Sequence, residues 1–352
     1  MSEGSPDTEL VVIADYDFGD VTLERRIIEE SGFSLRALQC KSEEELVRDG
    51  TDAVAVVTQY ARVGAGAIAG LPRLRHIARY GVGLDIVDVD AATEAGVVVT
   101  NVPADYCRDE VADHAIAMLL FLARGLRAYD DSVHAGVWHW KAGAPLHRLR
   151  GSRLGIIGLG RIGRAIAERA GSFGLEIAAY DPYSGEEAAA SVGAALVDFH
   201  ELLESSDYVL IQAPLNDETR GLVDRDAIGR MKPGAILINT ARGPIVDGAA
   251  LHDALQEGRL AAAALDDLPE EPAKRRDWGP DNPLLALPNC LVTPHAAYYS
   301  EESIHYARTF AAEEVVRVLR GEVPLSPINL ERLALPTKAR SLAARTNRRS
   351  PA

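Results

Sequence analysis

Cysteine is scarce in this sequence, and it has no long apolar run. The 352 residues include three cysteines, Cys40, Cys107 and Cys290, which lie far apart and form no CxxC pair. This excludes a dense disulfide framework and a zinc site built from paired cysteines. The longest purely apolar run, Ala115–Ala123, is too short to cross a bilayer, and the polar start is unlike a signal peptide. We therefore expect a cytoplasmic protein that does not enter a membrane.

The sequence also has fewer basic residues than acidic ones. Lysine and arginine total 37 against 52 aspartate and glutamate residues, which gives a formal net charge of -15. Because proteins that bind duplex nucleic acid normally carry the opposite sign, no direct nucleic-acid partner is expected. The exception is the segment 331–352, where six basic residues accompany one glutamate. This segment is predicted to be a disordered basic tail, and an arm that binds an anion or a partner is the alternative.

Short apolar segments alternate along the chain with amphipathic ones. This alternation predicts βαβ units, and the length suits two domains, so the fold class is α/β with two doubly wound parallel-sheet domains. The predicted strands are Leu10–Ala14, Ser34–Leu38, Ala53–Thr58, Ile77–Arg79, Val97–Thr100, Leu154–Ile157, Glu176–Tyr180, Ala194–Val197, Tyr208–Ala213, Ala235–Thr240, Ala261–Leu265 and Leu291–Thr293. The predicted helices are Leu23–Glu30, Glu43–Arg48, Ala104–Arg127, Arg161–Ser172, Phe199–Glu204, Asp247–Glu257 and Glu301–Arg320.

A GxGxxG motif lies between a predicted strand and a predicted helix, which is the context that dinucleotide binding requires. Its glycines are Gly158, Gly160 and Gly163. The first permits a tight turn, the second lets the backbone approach a pyrophosphate, and the third lets helix and strand pack closely. The helix N-terminus adds N–H groups and the positive end of the helix dipole. A glycine-rich turn without a ligand is the alternative.

Asp181 ends the strand that follows the motif helix, 18 residues after Gly163. This spacing is close to that of the acid that binds the ribose in dinucleotide folds. A carboxylate at this place accepts hydrogen bonds from ribose hydroxyls and repels a 2′-phosphate. The sequence therefore predicts NAD rather than NADP as the cofactor, and a plain surface aspartate in a turn is the alternative.

Three later segments follow predicted strands and carry groups suited to reduction of a carbonyl. Arg242 can hold a carboxylate bidentately, acids lie between Asp266 and Glu271, and His295 can exchange protons near neutral pH. Each residue alone has a structural explanation. Their appearance after three strands of one GxGxxG domain favours a catalytic role in hydride transfer.

The segments GLGRIG, NTARGPIVD, ALDDLPEEP, TPHAAYYS and RYGVGLDIVDVD together resemble the D-isomer-specific 2-hydroxyacid dehydrogenase family. The resemblance extends from about Leu10 to Leu330. Within the family, DPY after the predicted strand Glu176–Tyr180 and HAAYYSEES, which begins at His295, are most similar to the C-terminal binding protein-like branch of dehydrogenase-fold corepressors. Asp267 and Leu268 depart from the family, which often has an apolar–aromatic pair there.

The resemblance implies a role for each matching residue. Arg242 would bind the substrate carboxylate, His295 would be the general acid/base, and Glu271 would hydrogen-bond to His295, while Val82 and Gly83 would bind the substrate through their backbone. The residues implied to line the cofactor site are Gly158, Gly160, Arg161, Ile162, Gly163, Asp181, Ala213, Pro214, Asn216, Thr219, Thr240, Ala241, Arg242, Asp266 and His295.

The resemblance also implies a domain arrangement and an activity. A Rossmann NAD-binding domain at 103–297 would be inserted in a flavodoxin-like substrate domain formed by 1–102 and 298–330, and the chain would form a homodimer. The implied function is NAD-dependent interconversion of a small D-2-hydroxy acid and its 2-oxo acid. The alternative is an NAD(H)-sensing dimeric scaffold with little turnover. No metal site is expected, because the histidines 134, 139 and 147 lack ligand-like spacing on a helix.

Overall fold

The structure, a computed structural model, describes residues 8–268 and 281–334 and divides into two units. The first unit comprises residues 8–106 and 300–334, and the second comprises residues 107–268 and 281–299. The domain boundaries drawn from the sequence remain a prediction. Residues 335–352 of the predicted tail lie outside the described residues.

The strands of the described residues form two sheets in which every pair is parallel. They are β1 (Leu10–Ile13), β2 (Ser34–Ala37), β3 (Ala53–Thr58), β4 (His76–Arg79), β5 (Val98–Asn101), β6 (Arg153–Ile157), β7 (Glu176–Tyr180), β8 (Ala194–Leu196), β9 (Tyr208–Ile211), β10 (Ile236–Asn239), β11 (Ala262–Leu265) and β12 (Cys290–Val292). The sheet of the first unit has the order β2-β1-β3-β4-β5, and that of the second has the order β12-β11-β10-β9-β6-β7-β8. The predicted fold class is confirmed.

Helices connect these strands. They are α1 (Thr22–Glu30), α2 (Glu43–Asp49), α3 (Ala65–Gly70), α4 (Val89–Glu94), α5 (Arg108–Ala123), α6 (Leu126–His134), α7 (Arg161–Ser172), α8 (Glu186–Ala190), α9 (Phe199–Ser205), α10 (Arg225–Arg230), α11 (Gly248–Gln256), α12 (Glu301–Leu319) and α13 (Leu330–Leu333). Most of the longer helices match the predicted ones within one or two residues, because their apolar periodicity is clear.

The single helix predicted over Ala104–Arg127 is wrong. The segment begins with a 3₁₀ turn at Ala104–Tyr106, and α5 and α6 are separate helices. Gly125 lies between them with a φ of +59°. This left-handed conformation interrupts the helix, and it is one that glycine adopts readily while other residues pay about 1–2 kcal/mol. The apolar pattern continues across the break, so periodicity alone does not reveal it.

Apolar side chains cover both faces of the seven-stranded sheet. Because side chains alternate along a strand, Ile156 and Ile157 of β6 point to opposite faces. Ile156 is buried with side chains of α5 and α7, and Ile157 is buried with side chains of α9, α10 and α11. Burial on both faces is what a doubly wound parallel sheet requires.

The carboxyl ends of the seven parallel strands lie along one edge of the sheet, where ligands bind in such folds. The predicted functional residues of the second unit follow these ends. Gly158 follows β6, Asp181 follows β7, Ala213 follows β9, Arg242 follows β10, Asp266 follows β11 and His295 follows β12. In addition, β6 and β9 are neighbours although the chain forms two other strands between them, and the crevice at such a switch point is the expected cofactor site.

Candidate functional site

The glycine-rich turn joins β6 to α7, and two of its glycines are required by the packing of the protein. Gly158 has a φ of +97°, and a Cβ there would lie 2.7 Å from the backbone nitrogen of Ala213. A Cβ at Gly163 would lie 2.2 Å from the carbonyl oxygen of Gly158. Neither position has room for a side chain, which agrees with the tight turn and close helix packing that the motif predicts.

Gly160 differs, because a Cβ there would meet no atom of the described residues within 4 Å. It is the N-cap of α7, so it stands beside backbone N–H groups and the positive end of the helix dipole. Protein packing does not explain a glycine at this position, whereas close approach of a bound anion does. The turn therefore fits the pyrophosphate of a dinucleotide. Arg161 and Ile162, also implied to line the site, are the first two residues of α7.

The carboxylate of Asp181 is held by three backbone N–H groups. Leu159 donates to Oδ2 at 2.7 Å, while Tyr183 and Ser184 donate to Oδ1 at 2.9 Å and 3.2 Å. A carboxylate has about four acceptor positions, so one remains on Oδ2. Asp181 is thus rigidly placed beside the glycine-rich turn with an acceptor available for a ribose hydroxyl.

A second carboxylate lies near this acid. The hydroxyl of Tyr183 donates to Oε2 of Glu218 at 2.7 Å, and this bond joins the segment after β7 to the one after β9. The hydrogen bond to Glu218 raises the pKa of Tyr183 to about 12, so the hydroxyl keeps its proton and remains the donor. Sequence reasoning missed Glu218, because it is one of many exposed acids.

The segment after β9 contains four residues implied to line the cofactor site: Ala213, Pro214, Asn216 and Thr219. The Asn216 side-chain oxygen accepts from the backbone N–H of Thr219 at 2.9 Å, and the Thr219 hydroxyl donates to the Pro214 carbonyl at 2.6 Å. These side chains therefore shape the loop itself. A contact between them and the cofactor remains a prediction.

The turn after β10 carries Thr240, Ala241 and Arg242 and is shaped by the buried side chain of Asn239. Asn239 accepts from the N–H of Ala241 at 2.9 Å and donates to the carbonyl of Arg242 at 2.8 Å. The Thr240 hydroxyl donates to the side chain of Gln212 at 2.7 Å, which links this turn to the segment after β9. Asn239 is a supporting residue that sequence reasoning did not single out, although it lies in the NTARG segment.

Asp266, at the end of β11, is buried and connects to the turn after β12. Its Oδ1 accepts from the Thr293 hydroxyl at 2.5 Å and from the N–H of Ala296 at 2.9 Å. Its Oδ2 accepts from the N–H of Ala297 at 2.9 Å. One acceptor position on Oδ2 remains for the predicted contact with a cofactor. The carboxylate therefore fixes the residues on both sides of His295.

His295 adopts a left-handed backbone with a φ of +53°. A non-glycine residue pays about 1–2 kcal/mol for this conformation, and such strain clusters at functional sites. The cost is offset by the contacts of Asp266, whose backbone carbonyl also accepts from the N–H of His295 at 2.6 Å. The imidazole packs edge-on against the ring of Tyr298, with centroids 5.9 Å apart.

In the first unit, the loop after β4 carries Val82 and Gly83, which were implied to bind the substrate. The carbonyl of Val82 accepts from the side chain of Asn101 at 2.7 Å, which ties the loop to β5. The binding role itself remains a prediction.

Arg79 at the end of β4 is a candidate that the sequence analysis missed. It is only 8% exposed, yet its guanidinium has no hydrogen bond or ion pair within the described residues, and its Nε is buried without a partner. The guanidinium lies against Gly81, where a Cβ would be 1.8 Å from Nη1. An unpaired buried cation beside the predicted substrate loop points to a bound anion.

Glu271, the predicted partner of His295, lies outside the described residues. Among the residues that the structure does describe, no group of three or more histidine, cysteine, aspartate or glutamate side chains is placed to hold a metal ion. Over the same ranges, no helix combines the length and apolar character needed to cross a membrane.

The fold and the strand-end residues define a class of protein: an α/β protein whose seven-stranded unit binds a dinucleotide and carries groups for acid–base chemistry at the same edge. Residues 116–297 match the family model of the D-isomer specific 2-hydroxyacid dehydrogenase, NAD binding domain. The chain therefore belongs to the D-isomer specific 2-hydroxyacid dehydrogenase family, as its motifs predict, and its second unit contains the NAD-binding domain.

Curated relatives and solved structures agree with this assignment. The chain is 40% identical over 307 residues to the D-3-phosphoglycerate dehydrogenase of Methanocaldococcus jannaschii, covering 87% of this chain and 57% of that protein. It is 39% identical over 290 residues to the glyoxylate reductase of Korarchaeum cryptofilum, covering 82% and 85% of the two chains. The D-lactate dehydrogenase of Aquifex aeolicus, solved with NAD and lactic acid, has a TM-score of 0.80 at 29% identity and coverage of 89% and 96%.

The chain spans little more than half the length of the phosphoglycerate dehydrogenases that it matches. The branch-level resemblance to the C-terminal binding proteins is not tested by these similarities and remains a prediction.

Replacing Gly160 with alanine tests whether the turn binds the pyrophosphate. The added methyl group meets no atom of the described residues within 4 Å, so we expect the melting temperature to stay within about 2 °C of wild type. The methyl group would occupy the approach to the helix N-terminus, so NADH should bind about tenfold or more weakly. Fluorescence titration with NADH measures the affinity. Gly171→Ala, equally open and on the same helix, is the matched control, and equal NADH affinity in both variants would contradict the assignment.

Proposed function

We propose that the protein is an NAD-dependent oxidoreductase that interconverts a small D-2-hydroxy acid and its 2-oxo acid by hydride transfer. The observation that carries the proposal is the strained turn of His295, which Asp266 holds at the ligand-binding edge of the NAD-binding sheet. Arg242 follows β10, which is two strands from β12 along this edge. Reduction of a 2-oxo acid needs a proton donor near the carbonyl oxygen and a cation that binds the carboxylate, and an imidazole and a guanidinium suit these two tasks.

In this proposal, each side chain has a defined task. A nicotinamide cofactor held by the glycine-rich turn and Asp181 would supply the hydride for reduction of the 2-oxo acid, and in its oxidised form would take up the hydride from the hydroxy acid. Arg242 binds the substrate carboxylate and orients the 2-oxo group. His295 gives a proton to the carbonyl oxygen during reduction and takes it back from the hydroxyl during oxidation. Glu271 hydrogen-bonds to His295 and favours its protonated form.

The first unit contributes to substrate binding in this proposal. The backbone N–H groups of Val82 and Gly83 bind the substrate carboxylate. Arg79, whose guanidinium pairs with no acid in the described residues, supplies a cation for a negative group of the substrate. This favours an acidic substrate but does not select among 2-oxo acids.

Removing either proposed catalytic group should abolish most of the turnover. With NADH and a panel of glyoxylate, hydroxypyruvate, pyruvate and phosphohydroxypyruvate, we expect His295→Ala and Arg242→Ala each to lower kcat/KM about 100-fold or more. His200→Ala, an exposed histidine of α9, is the control. Full activity of either variant would refute its role. Binding of NADH without turnover of any acid by the wild type would favour the NAD(H)-sensing scaffold.

We also propose that NAD is preferred over NADP. Asp181 is fixed beside the glycine-rich turn, and Glu218, held by Tyr183, adds a second negative charge on the adjacent segment. Both carboxylates oppose the charge of a 2′-phosphate.

The cofactor preference predicts that NADH has a Kd at least about tenfold below that of NADPH. Asp181→Ser should lower the ratio of the NADPH Kd to the NADH Kd. It should also weaken the binding of NADH, because the N–H of Leu159 loses its hydrogen-bond acceptor. Fluorescence titration with both cofactors measures the ratio. Glu168→Gln, an exposed acid of α7, controls for net charge. Tighter binding of NADPH to the wild type would be the contrary result.

We further propose a homodimer formed through the second unit. The segment comprising α6 and the residues after it exposes a group of large apolar side chains, and Trp138 is 88% exposed. The group consists of Leu126, Val133, Val137, Trp138 and Trp140. Leu126, Val133 and Trp138 line one cavity. Exposed apolar side chains grouped in this way favour an interface, and the same surface of a second copy would cover them symmetrically.

A charge at the most exposed residue of this group should separate the two copies. Light scattering at micromolar concentration should give twice the chain mass for the wild type and a single chain mass for Trp138→Glu, since a buried unpaired carboxylate is costly. Leu325→Glu, at an exposed leucine of the first unit, is the matched control and should remain dimeric. A monomeric wild type would overturn the proposal.

A cytoplasmic location completes the proposal. It is supported by the sparse cysteines. Cys40, Cys107 and Cys290 all lie within the described residues, they are buried, and no disulfide joins them.

A further inference from the structure

We propose that His114 of α5 is a positioning residue for the turn of His295, acting through Thr293 and Asp266. The proposal rests on the proposed function, since it concerns the placement of the proposed acid/base. None of the motifs in the sequence analysis includes His114. His114 connects α5, a helix with no other assigned site residue, to the strained backbone of His295.

The contacts form a continuous chain within the second unit. Nε2 of His114 lies 3.1 Å from the hydroxyl oxygen of Thr293, and that hydroxyl lies 2.5 Å from Oδ1 of Asp266. Nε2 of His114 is also 3.7 Å from the same Oδ1. The side chain of Asp266 is 3% exposed and that of His114 is 26% exposed, so solvent competes weakly for these bonds.

The direction of each bond follows from the donors available. An ionised carboxylate only accepts hydrogen bonds, so the single hydroxyl proton of Thr293 points to Asp266. The hydroxyl oxygen then accepts from His114, which places a proton on Nε2 of that imidazole. His114 thereby favours the orientation in which the Thr293 hydroxyl donates its proton to Asp266.

This selection matters because Asp266 holds both sides of the strained residue. Thr293 precedes His295, and the N–H groups of Ala296 and Ala297 follow it on the same carboxylate. If the hydroxyl turned away, Oδ1 would lose one of its two donors, and the carboxylate would be freer to rotate off the two N–H groups. The backbone cost of the left-handed φ of His295 is of the same order as the contribution of one or two such bonds.

The helix gives the chain a fixed anchor. α5 packs on β10 and β11 and against α7, so His114 projects from a buried framework rather than from a loop. The turn after β12 therefore gains a contact to a second layer of the fold, in addition to its contacts with the neighbouring strand.

Paired variants separate this role from general packing. His114→Leu and Thr293→Val remove the hydrogen bonds, while His114→Gln and Thr293→Ser retain a donor or a hydroxyl. Hydrogen–deuterium exchange of the peptide over 293–299 reports the two amides bound to Asp266 without needing turnover. We expect about tenfold faster exchange there in the Leu and Val variants, recovery in the Gln and Ser variants, and no change over the glycine-rich turn.

Turnover supplies the second measurement. At saturating NADH, kcat should fall about tenfold in the Leu and Val variants, because a small displacement of a reacting group lowers the rate of the chemical step steeply. In the Gln and Ser variants, kcat should recover to within about threefold of the wild-type value. Equal loss in both members of each pair, or wild-type exchange and kcat in the Leu and Val variants, overturns the proposal. If His114→Leu does not fold, the Thr293 pair decides alone. A wild type that lacks turnover refutes the proposed function, while the exchange data still decide the contact chain.

Discussion

The carboxylate of Asp266 is the contact on which the arrangement of the candidate site depends. It lies at the end of β11, and it holds the turn after β12 through one hydroxyl and two N–H groups. Those bonds offset the strain of a left-handed histidine and keep its ring at the edge of the sheet. A carboxylate can do this because it accepts several hydrogen bonds at once, and because burial strengthens each of them.

The parallel sheet explains why residues far apart in the chain share this edge. All strands of the second unit run in one direction, so each connection leaves its polar side chains at the same end. Buried side chains then fix the individual turns: Asn239 shapes the turn of Arg242, and backbone N–H groups surround Asp181. The site thus consists of loops, and hydrogen bonds from side chains at the strand ends hold several of them in place.

Much of this fold could be predicted from the sequence, because buried parallel strands are short apolar runs between turn residues. Ala53–Thr58 has the same bounds in both, and the functional residues follow the strands as expected. The helices α3, α4, α8 and α10 were not predicted, since five or six residues show too little of the helical period. Glu271 lies outside the described residues, so its predicted contact with His295 remains a prediction.

The sequence by itself determined the alternation of strands and helices, the glycine-rich turn and the family, because these depend on local periodicity and on residue types at short spacing. Only the tertiary structure decided which polar groups meet: Asp266 contacts the turn of His295, and Tyr183 contacts Glu218. It also decided that Arg79 is buried beside no acid of the described residues. The physical reason is that hydrogen bonds and burial depend on positions in space. Residues separated by tens of positions in the chain form these hydrogen bonds and become buried only when the strands have paired.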